Sequence, residues 1–137
     1  MRDQVWYVAT LIALMCAVRF GLAAYGYVDP ISLMEQLGAP YSDNQQAPYI
    51  VRVWAIRDMA LALLVVLATR NTIRPLLLAC IAIDVTDVLS AHLAGESGLF
   101  NSEQTWSLKI TAIAALVPEA IALALIMRRK PAVRGDA

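Results

Sequence analysis

The sequence has little charge and few of the residues that build disulfide frameworks or metal sites. Only 16% of its 137 residues are charged, with two cysteines and one histidine, whereas an average soluble domain is about a quarter charged. Two cysteines are too few for a disulfide framework, and a lone histidine argues against a metal site. No phosphate loop, nucleophile elbow or zinc signature occurs, so we expect neither a metal nor a cofactor.

The sequence also lacks a surplus of either charge sign, since eleven basic residues face eleven acidic ones. A nucleic-acid-binding domain carries a basic surplus, so we expect no nucleic-acid partner. Hydrophobic residues are abundant instead, at 60% of the chain with a mean hydropathy of +0.62. This composition is typical of a protein that has the bilayer as its solvent.

Four stretches reach the roughly 20 apolar residues that a transmembrane helix needs. The sequence therefore predicts one domain, residues 1–137, folded as an all-α integral membrane four-helix bundle. The predicted spans are about 5–24, 49–69, 75–93 and 106–127. The fourth contains Pro118, where we expect a kink or local unwinding.

The connections between the spans differ in charge. Residues 26–48 and 94–105 carry acidic residues and no Lys or Arg, whereas residues 70–74, the C-terminal tail and Arg2 are basic. By the positive-inside rule both termini are cytoplasmic. We expect a multi-pass protein of the inner (plasma) membrane whose partners are the lipid bilayer and, as an open alternative, further copies of the chain.

The first connection is too long for a simple turn. Asp29-Pro30 opens a turn, residues 31–36 are predicted to form a short helix, and Gly38 can end it. The segment forms either part of an interfacial aromatic belt or a lid over an outward-facing cavity. The tyrosines that crowd this boundary are Tyr25, Tyr27, Tyr41 and Tyr49.

Eight ionisable residues lie inside the predicted spans. A charge at the bilayer centre costs about 2.5–3.5 kcal/mol on insertion scales, so such residues face the bundle interior, pair, and mark a functional site by default. Four are positive and four negative, which predicts a balanced interior. They are Arg19, Arg52, Arg57, Asp58, Asp84, Asp87, Lys109 and Glu119.

Counting about 1.5 Å per residue from the cytoplasmic ends places six of these charges in one layer about 9 Å thick. Arg52 and Lys109 lie nearer the outer interface. Arg57 and Asp58 are adjacent, so their side chains diverge by about 100° and we expect each to reach a different neighbour.

Asp84 and Asp87 are three residues apart and share a helical face. Two ionised carboxylates this close repel, so one holds a proton or takes a cationic partner. We expect Arg57 or Arg19 to contact one of them. We also expect Asp84 and Asp87 to share one proton, with Arg57 holding the ionised member and Asp58 as the alternative base.

These residues define a candidate site. An alternative is a buried ion-pair network that only fixes helix register. His92 is either an interfacial residue or a pH-sensitive one. The catalytic candidates are Asp84, Asp87, Arg57 and Asp58, and the substrate-binding candidates are Arg19, Arg52, Tyr25, Glu119 and His92.

Several short motifs resemble those of small four-helix bacterial membrane proteins of the DoxX-like type. They are Arg-Phe-Gly at 19–21, Leu-Gly-Ala-Pro at 37–40, Ala-Ile-Arg-Asp-Met-Ala-Leu at 55–61 and Ile-Asp-Val at 83–85, so that the resemblance covers roughly residues 8–90. It implies a four-helix membrane fold and an association with membrane redox partners.

Our first functional hypothesis is an enzyme, a hydrolase or isomerase, that acts on a lipophilic small molecule. One Asp, ionised by Arg, deprotonates a water, and a second, protonated Asp donates a proton. Epoxide opening needs these groups, and soluble limonene-type epoxide hydrolases resemble this arrangement in chemistry, although no sequence similarity links them. Double-bond isomerisation and cyclisation would use the same groups.

Two other classes stay open. A proton-coupled transporter would bind cations or protons at the carboxylates, although matched acidic and basic residues leave no net charge to attract a cation. An accessory subunit of a membrane redox complex would show a helix face rich in small residues. The alanines available for that face are Ala60, Ala62, Ala114, Ala115, Ala120 and Ala122.

Overall fold

The computed structural model describes residues 6–37 and 46–128, and its regular structure there is helical, with no strand. The prediction of an all-α fold is therefore confirmed for these residues. The termini, Gly38 and Tyr41 lie outside the described residues. The helices are α1 (Trp6–Val28), α2 (Pro30–Gln36), α3 (Ala47–Leu67), α4 (Ile73–Glu96) and α5 (Ser102–Met127).

Three of these helices, α1, α4 and α5, are long and apolar enough to cross a membrane. The fourth long helix, α3, has 21 residues but carries three charges, Arg52, Arg57 and Asp58. The outer faces of the long helices expose large apolar side chains, such as Leu64, Leu78 and Leu89. Such faces suit a lipid environment better than water.

The short helix predicted at 31–36 is confirmed and begins one residue earlier. Asp29 caps it, because its carboxylate accepts hydrogen bonds from the Ser32 hydroxyl (2.7 Å) and the Ser32 backbone N–H (3.1 Å). These two bonds hold the pKa of the Asp29 carboxyl below its ordinary value. The cap therefore supports α2 above the ordinary pKa and loses that support as the pH falls through the lowered one.

The fifth helix runs without a break through Pro118, so the local unwinding considered for that position is absent. Since proline has no N–H to donate, the helix continues at Pro118 without the hydrogen bond that this N–H would make. The start of α5 is fixed by a capping box, in which the Asn101 side chain accepts from the Gln104 N–H and the Gln104 side chain accepts from the Asn101 N–H.

The long helices pack as two close pairs, α1 with α3 and α4 with α5. Helix α1 also contacts α5, and α3 contacts α4 more sparsely. Within the described residues α1 does not approach α4, nor α3 α5, so these helices lie diagonally across the bundle. A side chain that joins α1 to α4 must therefore cross the bundle centre.

The bundle has two unlike halves. One half, where α1 begins and α5 ends, is filled by a continuous apolar core. Since lipid tails are as apolar as leucine, van der Waals packing rather than water exclusion holds this core together in a membrane. The other half contains α2, which packs on α1 and α3. The core consists of Val8, Ile12, Met15, Cys16, Ala62, Val65, Ala68, Ile73, Leu77, Cys80, Ala122, Leu123 and Ile126.

The close approach of α2 to α1 depends on Gly26. A Cβ placed there would lie 2.5 Å from Cδ2 of the buried Leu33, whereas a Cβ at Gly21 would meet nothing within 4 Å. We predict that Gly26→Ala destabilises the fold by about 1–3 kcal/mol, the usual cost of overpacking, and displaces α2. The matched control, Gly21→Ala, should be neutral or stabilising. Unfolding in mixed micelles checks both, and equal stabilities would contradict the prediction.

Candidate functional site

The candidate site is built around the guanidinium of Arg19, which lies midway along α1 and is only 8% exposed. Its Nη1 donates to Asp58 Oδ1 at 3.0 Å. Its Nη2 lies 2.8 and 2.7 Å from the two carboxylate oxygens of Asp84, and 2.7 Å from Glu119 Oε1. One side chain therefore joins α1 to α3, α4 and α5.

Helical periodicity brings these four residues together. Arg19 belongs to the buried stripe of α1 that also includes Cys16 and Ala23, at spacings of three and four residues. Asp58 follows Ala55 by three residues in the same way on α3. Each charge occupies a position where the pattern would otherwise place an apolar core residue, so all of them point to the bundle centre.

A second arginine extends this group. Arg57 Nη2 donates to Asp87 Oδ2 at 3.3 Å, and Arg57 Nε lies 3.5 Å from Asp58 Oδ1. The sequence predicted that Arg19 or Arg57 contacts Asp84 or Asp87. This prediction is confirmed, because Arg19 contacts Asp84 and Arg57 contacts Asp87. As expected, Arg57 and Asp58 contact different residues, Asp87 and Arg19 respectively. The long Arg57 side chain also contacts Asp58, the next residue in the chain.

The six charges of the predicted layer thus form one connected cluster, the Arg19 cluster. It consists of two arginines and four carboxyl groups, which leaves an excess of two negative charges when all are ionised. The four-to-four balance predicted for the spans as a whole therefore does not extend to this cluster, because Arg52 and Lys109 are not part of it. Its members are Arg19, Arg57, Asp58, Asp84, Asp87 and Glu119.

The remaining two cations of the spans lie elsewhere and have other partners. Arg52 donates through Nε to the Tyr27 carbonyl at 3.1 Å. Lys109 Nζ lies 3.2 Å from Nδ1 of His92 and 5.7 Å from the ring centre of Trp106. These contacts hold both charges away from the Arg19 cluster, so they do not neutralise it.

A cavity of about 880 Å³ adjoins the cluster, and all five helices contribute to its wall. Four charged residues, Arg19, Asp58, Asp84 and Asp87, line it beside many apolar side chains. Most small-molecule sites have this composition, a largely apolar wall with a few convergent polar groups. The cavity belongs to the half of the bundle that contains α2.

The short helix α2 and the residue that follows it close part of this cavity, since Leu33, Met34 and Leu37 lie in its wall. Elsewhere the cavity is open. Leu14 and Val18 on α1 and Ile110 on α5 belong to the wall, yet each is more than half exposed. The chain therefore does not fully enclose the cavity, and exposed apolar side chains of α1 and α5 belong to its wall.

Several predicted site residues lie outside the cavity wall. Tyr25 accepts a hydrogen bond from Gln36 Nε2 at 2.8 Å and so fastens α2 to α1. Arg52 and His92 make the contacts described above. Glu119 is fully buried behind Arg19, and Arg57 flanks Asp58 and Asp87.

The sequence interpretation missed other residues that line the cavity, chiefly Trp54 and Ser90. Trp54 stands four residues before Asp58, and Ser90 three residues after Asp87, so both share a helical face with a charge already identified. Extending each charged face by one turn would have found them.

Two atoms of the cluster have no hydrogen-bond partner in the described part of the chain. They are Nε of Arg19 and Oε2 of Glu119, and both are buried. A buried polar atom without a partner costs about 1–3 kcal/mol, so these atoms call for water or a bound molecule. The carboxylates converge on an arginine, and no grouping suited to a metal ion occurs among the described residues.

Comparison with known proteins gives no relative: no protein-family model, no curated protein and no solved structure matches this chain. The resemblance to DoxX-like proteins therefore stays a prediction.

The geometry makes Arg19 the residue on which the bundle depends. We predict that Arg19→Gln destabilises the protein by about 3–5 kcal/mol, because it leaves the buried Asp84 and Glu119 without a cation and Asp58 with only the longer contact to Arg57. The matched control is Arg57→Gln, which removes an arginine whose side chain is 40% exposed and should cost about 0.2–1 kcal/mol.

Denaturant titration in micelles measures both changes. Adding Asp84→Asn to Arg19→Gln should recover part of the loss, because it removes one of the stranded charges. Equal costs for the two arginines would show that Arg19 is not the centre of the cluster.

Proposed function

We propose that the chain is a membrane-embedded acid–base enzyme that acts on a lipophilic small molecule. The observation that carries this proposal is the position of Arg19 between Asp58 and Asp84 in the wall of a largely apolar cavity. Apolar surroundings select a lipophilic substrate, and the paired carboxyl groups supply a proton acceptor and a proton donor.

Opening of an epoxide to a diol illustrates the chemistry. Asp84, as the carboxylate that contacts Arg19 through both oxygens, takes a proton from a water molecule. The water oxygen then attacks one epoxide carbon, the carbon–oxygen bond breaks, and the released oxygen takes a proton from Asp87. A proton returns from Asp84 to Asp87 through water, which restores the starting state. Asp58 is the alternative base, and isomerisation or cyclisation would use the same donor and acceptor.

The structural support for the roles of Asp84 and Asp87 differs from the sequence expectation in one respect. Arg19, not Arg57, binds Asp84, while Arg57 binds Asp87 through one longer contact of 3.3 Å. Asp87 is also the more exposed of the two. A weakly held, accessible carboxyl group suits a proton donor better than one bound through both oxygens. That the two carboxyl groups share one proton stays a prediction.

The two competing functions have less support. A transporter gains from the negative excess of the cluster, but the opposite half of the bundle is filled by the apolar core and offers no passage through a single chain. The alanine face required for an accessory subunit is divided: Ala62 and Ala122 are in the core, and Ala114 and Ala115 line the cavity.

We also propose that the chain crosses the inner membrane four times and that both termini lie in the cytoplasm. Helix α3 is the span that we add to α1, α4 and α5. Its 21 residues cover about 32 Å, which is enough to cross the hydrocarbon core. Its charges Arg57 and Asp58 are paired within the Arg19 cluster, which lowers the cost of their depth.

The enzyme proposal predicts turnover of lipophilic epoxides. Purified protein in micelles should convert dodecene oxide or limonene oxide to a diol that carries oxygen from isotope-labelled water. Asp84→Asn and Asp87→Asn should each lower kcat about 10²-fold or more. Folding should change little, because each substitution reduces the negative excess of the cluster.

The control for this test is Glu96→Gln, which alters an exposed carboxylate at the end of α4 and should leave kcat unchanged. If the two Asn variants turn over as fast as the parent per folded molecule, the carboxyl groups are not the acid and base. If the Asn variants instead fail to fold, the cluster is a network that fixes register.

The topology proposal predicts the position of each connection. Single cysteines placed at Glu35 and Glu103, in a background with Cys16 and Cys80 replaced by Ala, should react with an impermeant maleimide added outside intact cells. A cysteine at Asn71 should react only after the membrane is opened. Labelling of the Asn71 site in intact cells would contradict both the orientation and the count of four spans.

A further inference from the structure

The cavity wall carries more carboxyl groups than cations. Among the described residues of the wall, Arg19 is the one cation, whereas Asp58, Asp84 and Asp87 are three carboxyl groups. Counting the flanking Arg57 and Glu119 as well adds one positive and one negative charge. The excess therefore amounts to two negative charges by either count when all groups are ionised.

Two uncompensated charges beside an apolar cavity are costly, because little water is present to solvate them. Protons can neutralise them, or a cation can lie against the wall. The rest of the wall is contributed mostly by Leu, Ile, Val, Ala, Met, Phe and Trp side chains. A cation that fills this space must therefore carry an apolar body.

A second observation concerns two buried atoms of the cluster. Arg19 is only 8% exposed and Glu119 is fully buried. Arg19 Nε and Glu119 Oε2 nevertheless have no hydrogen-bond partner among the described residues. Since Arg19 itself lines the cavity, a molecule in the cavity, or water that it retains, can reach this cluster.

We propose that the cavity binds amphiphiles with a cationic nitrogen head. The head lies against Asp58, Asp84 and Asp87, and the apolar body extends between Trp54 and the α2 residue Leu33. This inference rests on the proposed function, since both place a lipophilic molecule in the cavity, and it adds the charge that the site prefers. The same wall would stabilise positive charge that develops on carbon when an epoxide opens or a ring closes.

Trp54 offers a direct test, because it is the one tryptophan in the cavity wall, whereas Trp6 and Trp106 are exposed elsewhere. A Trp6→Phe/Trp106→Phe variant keeps Trp54 alone as a fluorescent reporter. The probes are ω-bromoundecyl trimethylammonium, ω-bromoundecanol and ω-bromoundecanoate, which share a quenching bromine tail and differ in head charge. A Trp54→Phe/Trp106→Phe variant, with Trp6 alone, corrects for partition of each probe into uncharged nanodiscs.

The ammonium probe should quench Trp54 saturably, with half-saturation at about tenfold lower concentration than the alcohol, and the carboxylate should show no saturable quenching. Asp84→Asn should weaken binding of the ammonium about tenfold and leave the alcohol unchanged. Glu96→Gln should alter neither. The head-group comparison replaces none of the carboxyl groups, so it stands even if Asp84→Asn folds poorly.

Equal binding of alcohol and ammonium would overturn the inference, since it would mean that protons neutralise the wall. Tighter binding of the carboxylate, or no saturable quenching by any probe, would overturn it as well. The result separates from the proposed function: epoxide turnover without ammonium preference refutes only this inference, whereas ammonium preference without turnover refutes only the enzyme.

Discussion

The structure depends on the need to neutralise one guanidinium in the middle of an apolar helix. Arg19 cannot lose its charge, so the other long helices must bring acceptors to it. Asp58, Asp84 and Glu119 do so from three directions. The rotation of each helix about its axis and its position along that axis follow from this requirement. A purely apolar interface in lipid would specify neither as sharply.

The sequence predicted the content of this cluster but not its arrangement. Counting residues from the ends of the spans gives depth, and depth correctly placed six charges in one layer. It gives no information about which arginine crosses the bundle centre, because that depends on which helices are diagonal. The sequence therefore left open which arginine contacts which aspartate, whereas in the structure Arg19 contacts Asp84 and Arg57 contacts Asp87.

Other features could be predicted less well for related reasons. The short helix α2 was found from Asp29 and Pro30, but its contact with the cavity depends on where a loop folds back in space. The cavity itself is a space between helices, which no residue type marks. The spans hold equal numbers of acidic and basic residues, but the Arg19 cluster does not, because Arg52 and Lys109 make their contacts elsewhere.

The two halves of the bundle have different roles, because one is filled by the apolar core and the other contains the cavity. Close packing around Leu77 and Val65 supplies rigidity, and the Arg19 cluster forms the boundary against which the cavity lies. Removing volume near the cavity is tolerable because the other half already fixes the helices. Preorganised charges are useful in a site only when the scaffold keeps them from relaxing toward each other.

The exposed side chains of Leu14 and Ile110 in the cavity wall bear on which phase would supply the proposed ligand. A compound that enters there comes from among the lipid tails, where a lipophilic solute is greatly enriched over water. The quantity that governs occupancy is then its mole fraction in the membrane. Diluting the cells would change it little, whereas enlarging the lipid phase would lower it directly.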